Sequence, residues 1–103
     1  MYIREAHPSD GWQMPINEKE GVVHKEPKTA TERADLAKDC REALKLSLPM
    51  LLDGMDNAVN RAYSAWPDRL YLIGKDGRIA YKGRPGPGGF NPRELAQALE
   101  QLP

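Results

Sequence analysis

The sequence has little cysteine and no long apolar run. Cys40 is the single cysteine among 103 residues, which excludes an internal disulfide framework and suits a reducing compartment. No apolar run approaches the roughly 20 residues that span a bilayer. The first residues also lack the basic and apolar regions of a signal peptide. These absences predict a cytoplasmic protein without a membrane partner.

An excess of charge of either sign is also missing. Fifteen acidic and fifteen basic residues give a formal net charge of zero, so no global field favours nucleic acid or an anionic membrane surface. Hydrophobic residues make up 40% of the chain and charged residues 29%, which is ordinary for a globular protein. At this length and without an internal repeat, we predict a single domain over residues 1–103.

Local signals in the first half predict a strand, a long loop and a helix. Residues 2–6 are strand-like, whereas glycines and prolines keep residues 8–28 irregular. Thr29 followed by Glu32 is a capping signature, and the helix that it opens is predicted to end near Leu46. Its apolar stripe comprises Ala30, Ala34, Ala37, Cys40 and Leu44.

The second half predicts a short buried strand, a helix, a hairpin and a closing helix. Residues 49–52 form the buried strand, and Asp56 or Asn57 caps the helix that follows. The hairpin pairs residues 70–73, covered on both faces, with residues 78–82. Asn91 and Pro92 open the last helix. Its predicted buried face comprises Leu95, Ala98, Leu99 and Leu102.

Two segments carry a family resemblance. YIREAHPSDGW at the N-terminus and YSAWPDRLY from Tyr63 onward resemble the iodothyronine deiodinases, a family with a thioredoxin-like fold. From Leu48 onward, the strand, helix, hairpin and last helix are also similar to the C-terminal half of the peroxiredoxins. The resemblance implies an α/β, thioredoxin-like fold with three helices and a C-terminal hairpin.

The resemblance also implies a gap. In the family, a strand and a helix that carry the catalytic cysteine or selenocysteine precede the segment that begins here at Tyr2. We therefore expect an N-terminally truncated, incomplete domain without its central first strand and first helix. Exposed strand edges would need partners, so a homodimer that completes the sheet is expected, or a segment lost from the chain.

The resemblance gives Tyr2, Glu5 and His7 the role of a proton relay. Glu5 and His7 are two residues apart, so on a strand they share a face. Reductive removal of iodide from a phenolic ring requires proton delivery to carbon, and a histidine oriented by a carboxylate suits that work. The alternative is a strand end with two solvated polar side chains.

Three further residues match substrate-binding positions of the family. His24 matches a histidine that contacts the substrate phenol, and Arg84 matches an arginine that clasps a substrate carboxylate. Asp68 matches an acidic position before the hairpin, where thioredoxin relatives place a cis-proline. Here Pro67 lies one residue earlier, and a cis bond after Trp66 is not expected by default. Each residue could instead be a solvated loop or turn residue.

Cys40 lies in the middle of a helix without a second cysteine nearby, so it is predicted to be a small buried hydrophobe rather than a nucleophile. No metal site is predicted, because the spacing of Glu5, His7, His24 and Cys40 matches no zinc pattern, and no cofactor is expected.

The resemblance thus implies a thiol- or selenol-dependent redox enzyme acting on a small aromatic or phenolic ligand with a thiol reductant. This chain is expected to be inactive by that mechanism without its nucleophile. The alternatives are a non-catalytic dimeric binding protein and a peroxiredoxin-like oxidoreductase that uses Cys40.

Overall fold

Three helices and a two-stranded antiparallel sheet make up the regular structure of the described residues. The computed structural model describes residues 1–6 and 25–103. The elements are α1 (Ala30–Ala43), α2 (Ala58–Tyr63), β1 (Tyr71–Ile73), β2 (Ile79–Lys82) and α3 (Pro92–Glu100). They fall into two compact units, residues 1–63 and residues 64–103. No helix in the described residues is long and apolar enough to cross a bilayer.

Helix α1 begins at the predicted cap. Thr29 Oγ1 accepts a hydrogen bond from the Glu32 backbone N–H at 3.1 Å. The Glu32 side chain in turn accepts one from the Lys28 N–H, just before the cap, at 2.7 Å. The two side chains therefore satisfy one N–H of the first turn and one N–H of the segment that leads into it. The helix ends at Ala43, three residues before the predicted end, and Lys45 then takes a positive φ of 52°.

The apolar stripe of α1 is confirmed in its middle and wrong at its ends. Ala37 is buried and Cys40 is half-buried. Ala30 and Leu44 are exposed, Leu44 by 64%. The inner face of the helix instead includes Arg33, which is only 3% exposed.

The two strands predicted in the first unit are reduced to one parallel bridge between Tyr2 and Leu52. The Tyr2 N–H donates to the Leu51 carbonyl at 2.6 Å, and the Asp53 N–H donates to the Tyr2 carbonyl at 2.9 Å. The prediction that residues 49–52 are buried is wrong, because Leu51 is 65% exposed and Leu52 44% exposed.

The hairpin is confirmed with slightly shorter strands. Tyr71 pairs with Lys82, and a bulge follows Leu72. The turn residue Gly77 has a positive φ of 78°, which glycine adopts without strain. The expectation that β1 is covered on both faces is wrong at its end, because Ile73 is 52% exposed.

Helix α3 packs against both strands of the hairpin. Asn91 Oδ1 caps it by accepting the Glu94 N–H at 3.2 Å, and Pro92 is its first residue, as predicted. Leu95, Ala98 and Leu102 are half-buried as expected, but Leu99 is 57% exposed. The Trp66–Pro67 bond is cis, contrary to the default expectation.

Candidate functional site

The structure brings two of the three predicted relay residues together in the first unit. The Tyr2 hydroxyl donates a hydrogen bond to Oε1 of Glu5, and both side chains are half-buried. The bridge to Leu52 fixes the Tyr2 backbone. His7 and His24, the two predicted histidines, lie outside the described residues.

A buried ionic cluster that the sequence analysis missed supports the segment to which Tyr2 is attached. Arg33 Nη1 donates to the carbonyls of Gly54, at 2.8 Å, and Asp53, at 3.4 Å. Its Nη2 donates to Asn57 Oδ1 at 3.1 Å and lies 3.7 Å from Glu26 Oε1. One guanidinium therefore ties α1 to the turn between the bridge and α2.

The carboxylate of Asp53 caps α2, where the sequence suggested Asp56 or Asn57. Its two oxygens accept the N–H groups of Val59 and Asn60, each at 2.9 Å, and Asp53 is only 4% exposed. Asp56 makes a lesser contact, accepting the Ala58 N–H at 3.2 Å. The sequence signal that could have revealed this cluster is Arg33, which lies on the inner face of α1. A buried arginine requires hydrogen-bond acceptors elsewhere in the chain.

Opposing effects act on the pKa of Asp53. Burial raises the pKa of its carboxyl group. The hydrogen bonds from the backbone N–H groups of Asn60, Val59 and Gly54, together with the positive charge of Arg33, outweigh burial and hold the pKa below its ordinary value of 3.8. The Asp53 carboxyl group is therefore ionised at neutral pH and serves as a structural anion.

Cys40 has the opposite environment from that of a reactive thiol. Burial raises the pKa of its thiol above the ordinary value of 9.0, and the negative charge of Glu5 raises it further. Nucleophilic cysteines need a lowered pKa, supplied by cations or a helix N-terminus. At neutral pH, this environment favours the protonated thiol.

Asp68 lies at a tight corner of the second unit. Its carbonyl accepts the Gly86 N–H at 2.9 Å, and its carboxylate occupies the space that a Cβ on Gly86 would fill. The buried Oδ1 atom has no hydrogen-bond partner within the described residues. The loop after β2 can therefore approach Asp68 only because residue 86 is glycine.

The start of this loop is fixed by an arginine. Gly83 is buried, its N–H donates to the Leu70 carbonyl at 2.9 Å, and its carbonyl accepts Arg69 Nε at 2.6 Å. The Arg69 guanidinium also lies 5.8 Å from the centre of the Tyr71 ring. The backbone around Arg84 is therefore held by hydrogen bonds before this residue, at Gly83, and after it, at Gly86.

The Arg84 side chain itself is 75% exposed and forms an ion pair with Glu94, with 3.8 Å between Nη2 and Oε1. The other carboxylate oxygen of Glu94 accepts the Tyr81 hydroxyl at 3.0 Å. Partial burial and the neighbouring Glu94 carboxylate raise the pKa of the Tyr81 phenol, against the smaller effect of Arg84. The structure thus gives the predicted carboxylate-binding arginine an internal carboxylate.

Metal ligation finds no support in this part of the chain: among residues 1–6 and 25–103, no three histidine, cysteine, aspartate or glutamate side chains are grouped closely enough to hold an ion.

Comparison with known proteins assigns the chain to a family. The profile of the family described as iodothyronine deiodinase matches residues 1–103. The type I iodothyronine deiodinase of Xenopus laevis is 37% identical over 101 residues, covering 98% of this chain and 38% of that protein.

Two further relatives give the same result. The thyroxine 5-deiodinase of Sparus aurata is 36% identical over 107 residues and that of Gallus gallus is 36% identical over 101 residues, each match covering 98% of this chain. The matches cover 36% and 37% of those two proteins, so the chain spans little more than a third of the relatives' length. This chain belongs to the iodothyronine deiodinase family.

Proposed function

We propose that this chain supplies the proton-relay and substrate-binding residues of a reductive dehalogenation site, whose chemistry depends on a thiol or selenol. The observation that carries the proposal is the hydrogen bond from the Tyr2 hydroxyl to Glu5, in a chain whose whole length matches the deiodinase family. A phenol that donates to a carboxylate is suited to a proton relay, and the sequence has His7 two residues after Glu5.

The proposal includes a thioredoxin-like architecture. Its support is the parallel bridge of Tyr2 with Leu52, the antiparallel hairpin formed by β1 and β2, and the packing of α3 on that hairpin. A hairpin followed by a closing helix is the chain order expected for the C-terminal half of a thioredoxin-like domain, which supports this part of the proposal.

The chemistry exchanges iodine for hydrogen on an aromatic ring. A selenolate or thiolate takes the iodine from carbon, while the ring carbon receives a proton. One thiol then releases iodide from the chalcogen, and a second thiol regenerates the selenolate or thiolate. The net reaction converts an aryl iodide and two thiols into an arene, iodide, a proton and a disulfide.

The relay residues act on the proton in this scheme. We propose that His7 delivers it to the ring carbon and that Glu5, held by Tyr2, orients His7 and restores its proton. General acid catalysis of this kind contributes about 10²- to 10⁴-fold to a rate.

The substrate is proposed to be an iodinated phenol that carries a carboxylate. The names of two relatives state that they act on thyroxine, which is such a compound. In this chain, His24 would contact the phenol, Arg84 the carboxylate, and Asp68 would line the corner between the loop and the hairpin.

The nucleophile is proposed to come from outside these 103 residues. Cys40 is their single cysteine, and both burial and Glu5 raise the pKa of its thiol. The test therefore supplies a small selenolate, selenocysteamine with excess dithiothreitol, to the purified chain. Iodide release from 3-(3,5-diiodo-4-hydroxyphenyl)propanoate is measured with an iodide electrode, with ligand binding measured by calorimetry.

We expect the chain to bind this phenol and to accelerate iodide release over selenolate alone. Glu5→Gln should reduce the protein-dependent rate about tenfold or more, whereas the matched control Glu42→Gln, on the exposed face of α1, should not. Absence of both binding and acceleration would overturn the proposal. Iodide release that needs no selenolate and disappears in Cys40→Ser would instead favour the alternative in which Cys40 is the nucleophile.

A further inference from the structure

We propose that Glu94 determines the affinity of Arg84 for a ligand carboxylate by competing for the same guanidinium. The inference rests on the proposed function, because it concerns the ligand that Arg84 would bind there. It adds Glu94, on α3, as a specificity-determining residue. It also predicts that the Glu94 carboxylate partly compensates the positive charge of Arg84 before any ligand binds.

The geometry shows an acceptor already in place. Glu94 Oε1 lies 3.8 Å from Arg84 Nη2, a distance at which charges attract without a short hydrogen bond. The carboxylate cannot turn freely toward or away from Arg84, because its second oxygen accepts the Tyr81 hydroxyl at 3.0 Å. Tyr81 therefore holds Glu94 in position beside the arginine.

Both partners of this pair start from fixed backbones. Glu94 is the third residue of α3, and its N–H is bonded to the cap residue Asn91 at 3.2 Å. Arg84 follows Gly83, whose carbonyl accepts Arg69 Nε at 2.6 Å. The pairing is thus set by the fold, while the Arg84 side chain remains 75% exposed and can be reached by a ligand.

The strength of the pair suits displacement. Ion pairs between exposed side chains are weak, so a ligand carboxylate that engages both guanidinium edges can replace Glu94. Removal of the Glu94 charge should therefore strengthen carboxylate binding by about two- to fivefold. Ligands without a carboxylate should be unaffected.

Glu94→Gln is the variant of choice, because glutamine keeps an oxygen for the Tyr81 hydroxyl and removes only the charge. Glu100→Gln makes the same charge change at the far end of α3 and is the matched control. Two ligands are compared by calorimetry: 3-(3,5-diiodo-4-hydroxyphenyl)propanoate and the corresponding propanamide, which differ in the carboxylate alone.

A second measurement does not depend on the phenol. Phenylglyoxal reacts with two nitrogens of a guanidinium, and Glu94 lies against one of them, Nη2 of Arg84. Loss of the ion pair should therefore speed labelling of Arg84 by about two- to fivefold. Labelling is quantified by mass spectrometry after proteolytic digestion. The labelling rate of Arg78, an exposed arginine of the hairpin, serves as the internal reference.

Faster labelling of Arg84 in Glu94→Gln, with tighter binding of the propanoate only, is the expected result. Unchanged labelling, or equal tightening of both ligands, or the same effect in Glu100→Gln, would overturn the inference. Faster labelling without binding of either ligand would support the competition at Arg84 and refute the proposed phenolic ligand, so the two failures are distinguishable.

Discussion

Replacement of Asp53 by alanine tests whether the buried ionic cluster holds the first unit together. The side chain is 4% exposed, and its two oxygens accept the Val59 and Asn60 N–H groups at 2.9 Å each. Alanine leaves both N–H groups at the start of α2 without an acceptor. It also removes one of the negative charges near the Arg33 guanidinium, which is 3% exposed, and leaves Glu26 as its ion-pair partner.

The expected loss follows from these contacts. Hydrogen bonds to a charged acceptor contribute about 1.5–3 kcal/mol each, and loss of a helix cap costs about 0.5–2 kcal/mol. Water can reach the half-buried Val59 and Asn60 and recover part of the loss. We therefore expect Asp53→Ala to lower the free energy of unfolding by about 2–4 kcal/mol.

Urea denaturation followed by circular dichroism at pH 7 measures this change. Asp56→Ala is the control, because Asp56 is exposed and accepts one N–H at 3.2 Å; it should lose about 0.5 kcal/mol or less. Equal losses for the two variants, or a loss for Asp53→Ala below about 0.5 kcal/mol, would refute the reasoning that the buried carboxylate organises this unit.

The same site gives a pH dependence with a definite sign. Because the pKa of Asp53 in the folded chain lies below 3.8, its ionised form stabilises the fold above that pH, and the stabilisation is lost as the pH falls through the folded pKa. The stability difference between the wild type and Asp53→Asn should therefore hold from pH 7 to about pH 5, and narrow progressively as the pH falls through 3.8 and then through the lower folded pKa. A difference that narrows between pH 7 and pH 5 would contradict the assignment.

Two further outcomes are expected. Gly86→Ala should destabilise the chain by about 1–3 kcal/mol, because the new Cβ overlaps the Asp68 carboxylate, whereas Gly88→Ala, with no atom within 4 Å of the new Cβ, should be neutral in the same urea titration. Cys40 should react with a disulfide reagent at pH 7 more slowly in the folded chain than in urea, because burial and Glu5 raise the pKa of its thiol. A faster reaction in the folded chain would support Cys40 as a nucleophile.

Elements whose signals are local could be predicted from the sequence. The cap of α1 at Thr29, the cap of α3 at Asn91 and the turn at Gly77 each depend on residues within three or four positions. Local hydrogen bonds and allowed φ values decide these features, so the structure follows the pattern. The end of α1 has no comparable signal, and its prediction was three residues too long.

Features that depend on distant partners could not be read from the pattern. Apolar content predicted burial of Leu51 and Leu52, and of Ile73 and Leu99, but all four are exposed. A hydrophobic run shows that a strand or helix can be covered, whereas burial depends on what packs against it.

The candidate site was predicted in the same uneven way. Tyr2 and Glu5 are three positions apart, and they meet. The partner of Arg84 is ten positions away on another element, and Arg33 reaches the turn at Gly54, more than twenty positions away. Neither pairing leaves a periodic signal in the sequence, so both required the structure.

The cluster around Arg33 and Asp53 is buried, whereas the Arg84–Glu94 pair is exposed. This difference in burial suits the two groups to different roles. Arg33 and Asp53 are both buried; Arg33 donates to the Gly54 carbonyl, and the Asp53 carboxylate accepts two backbone N–H groups. Hydrogen bonds to charged groups contribute about 1.5–3 kcal/mol each, so these two side chains are suited to hold structure. Breaking an exposed pair costs about 1 kcal/mol or less, so Arg84 can exchange Glu94 for a ligand. The buried cluster therefore serves as a scaffold that fixes the Tyr2 backbone through Asp53, and the exposure of Arg84 supports the proposal that this arginine binds the ligand carboxylate.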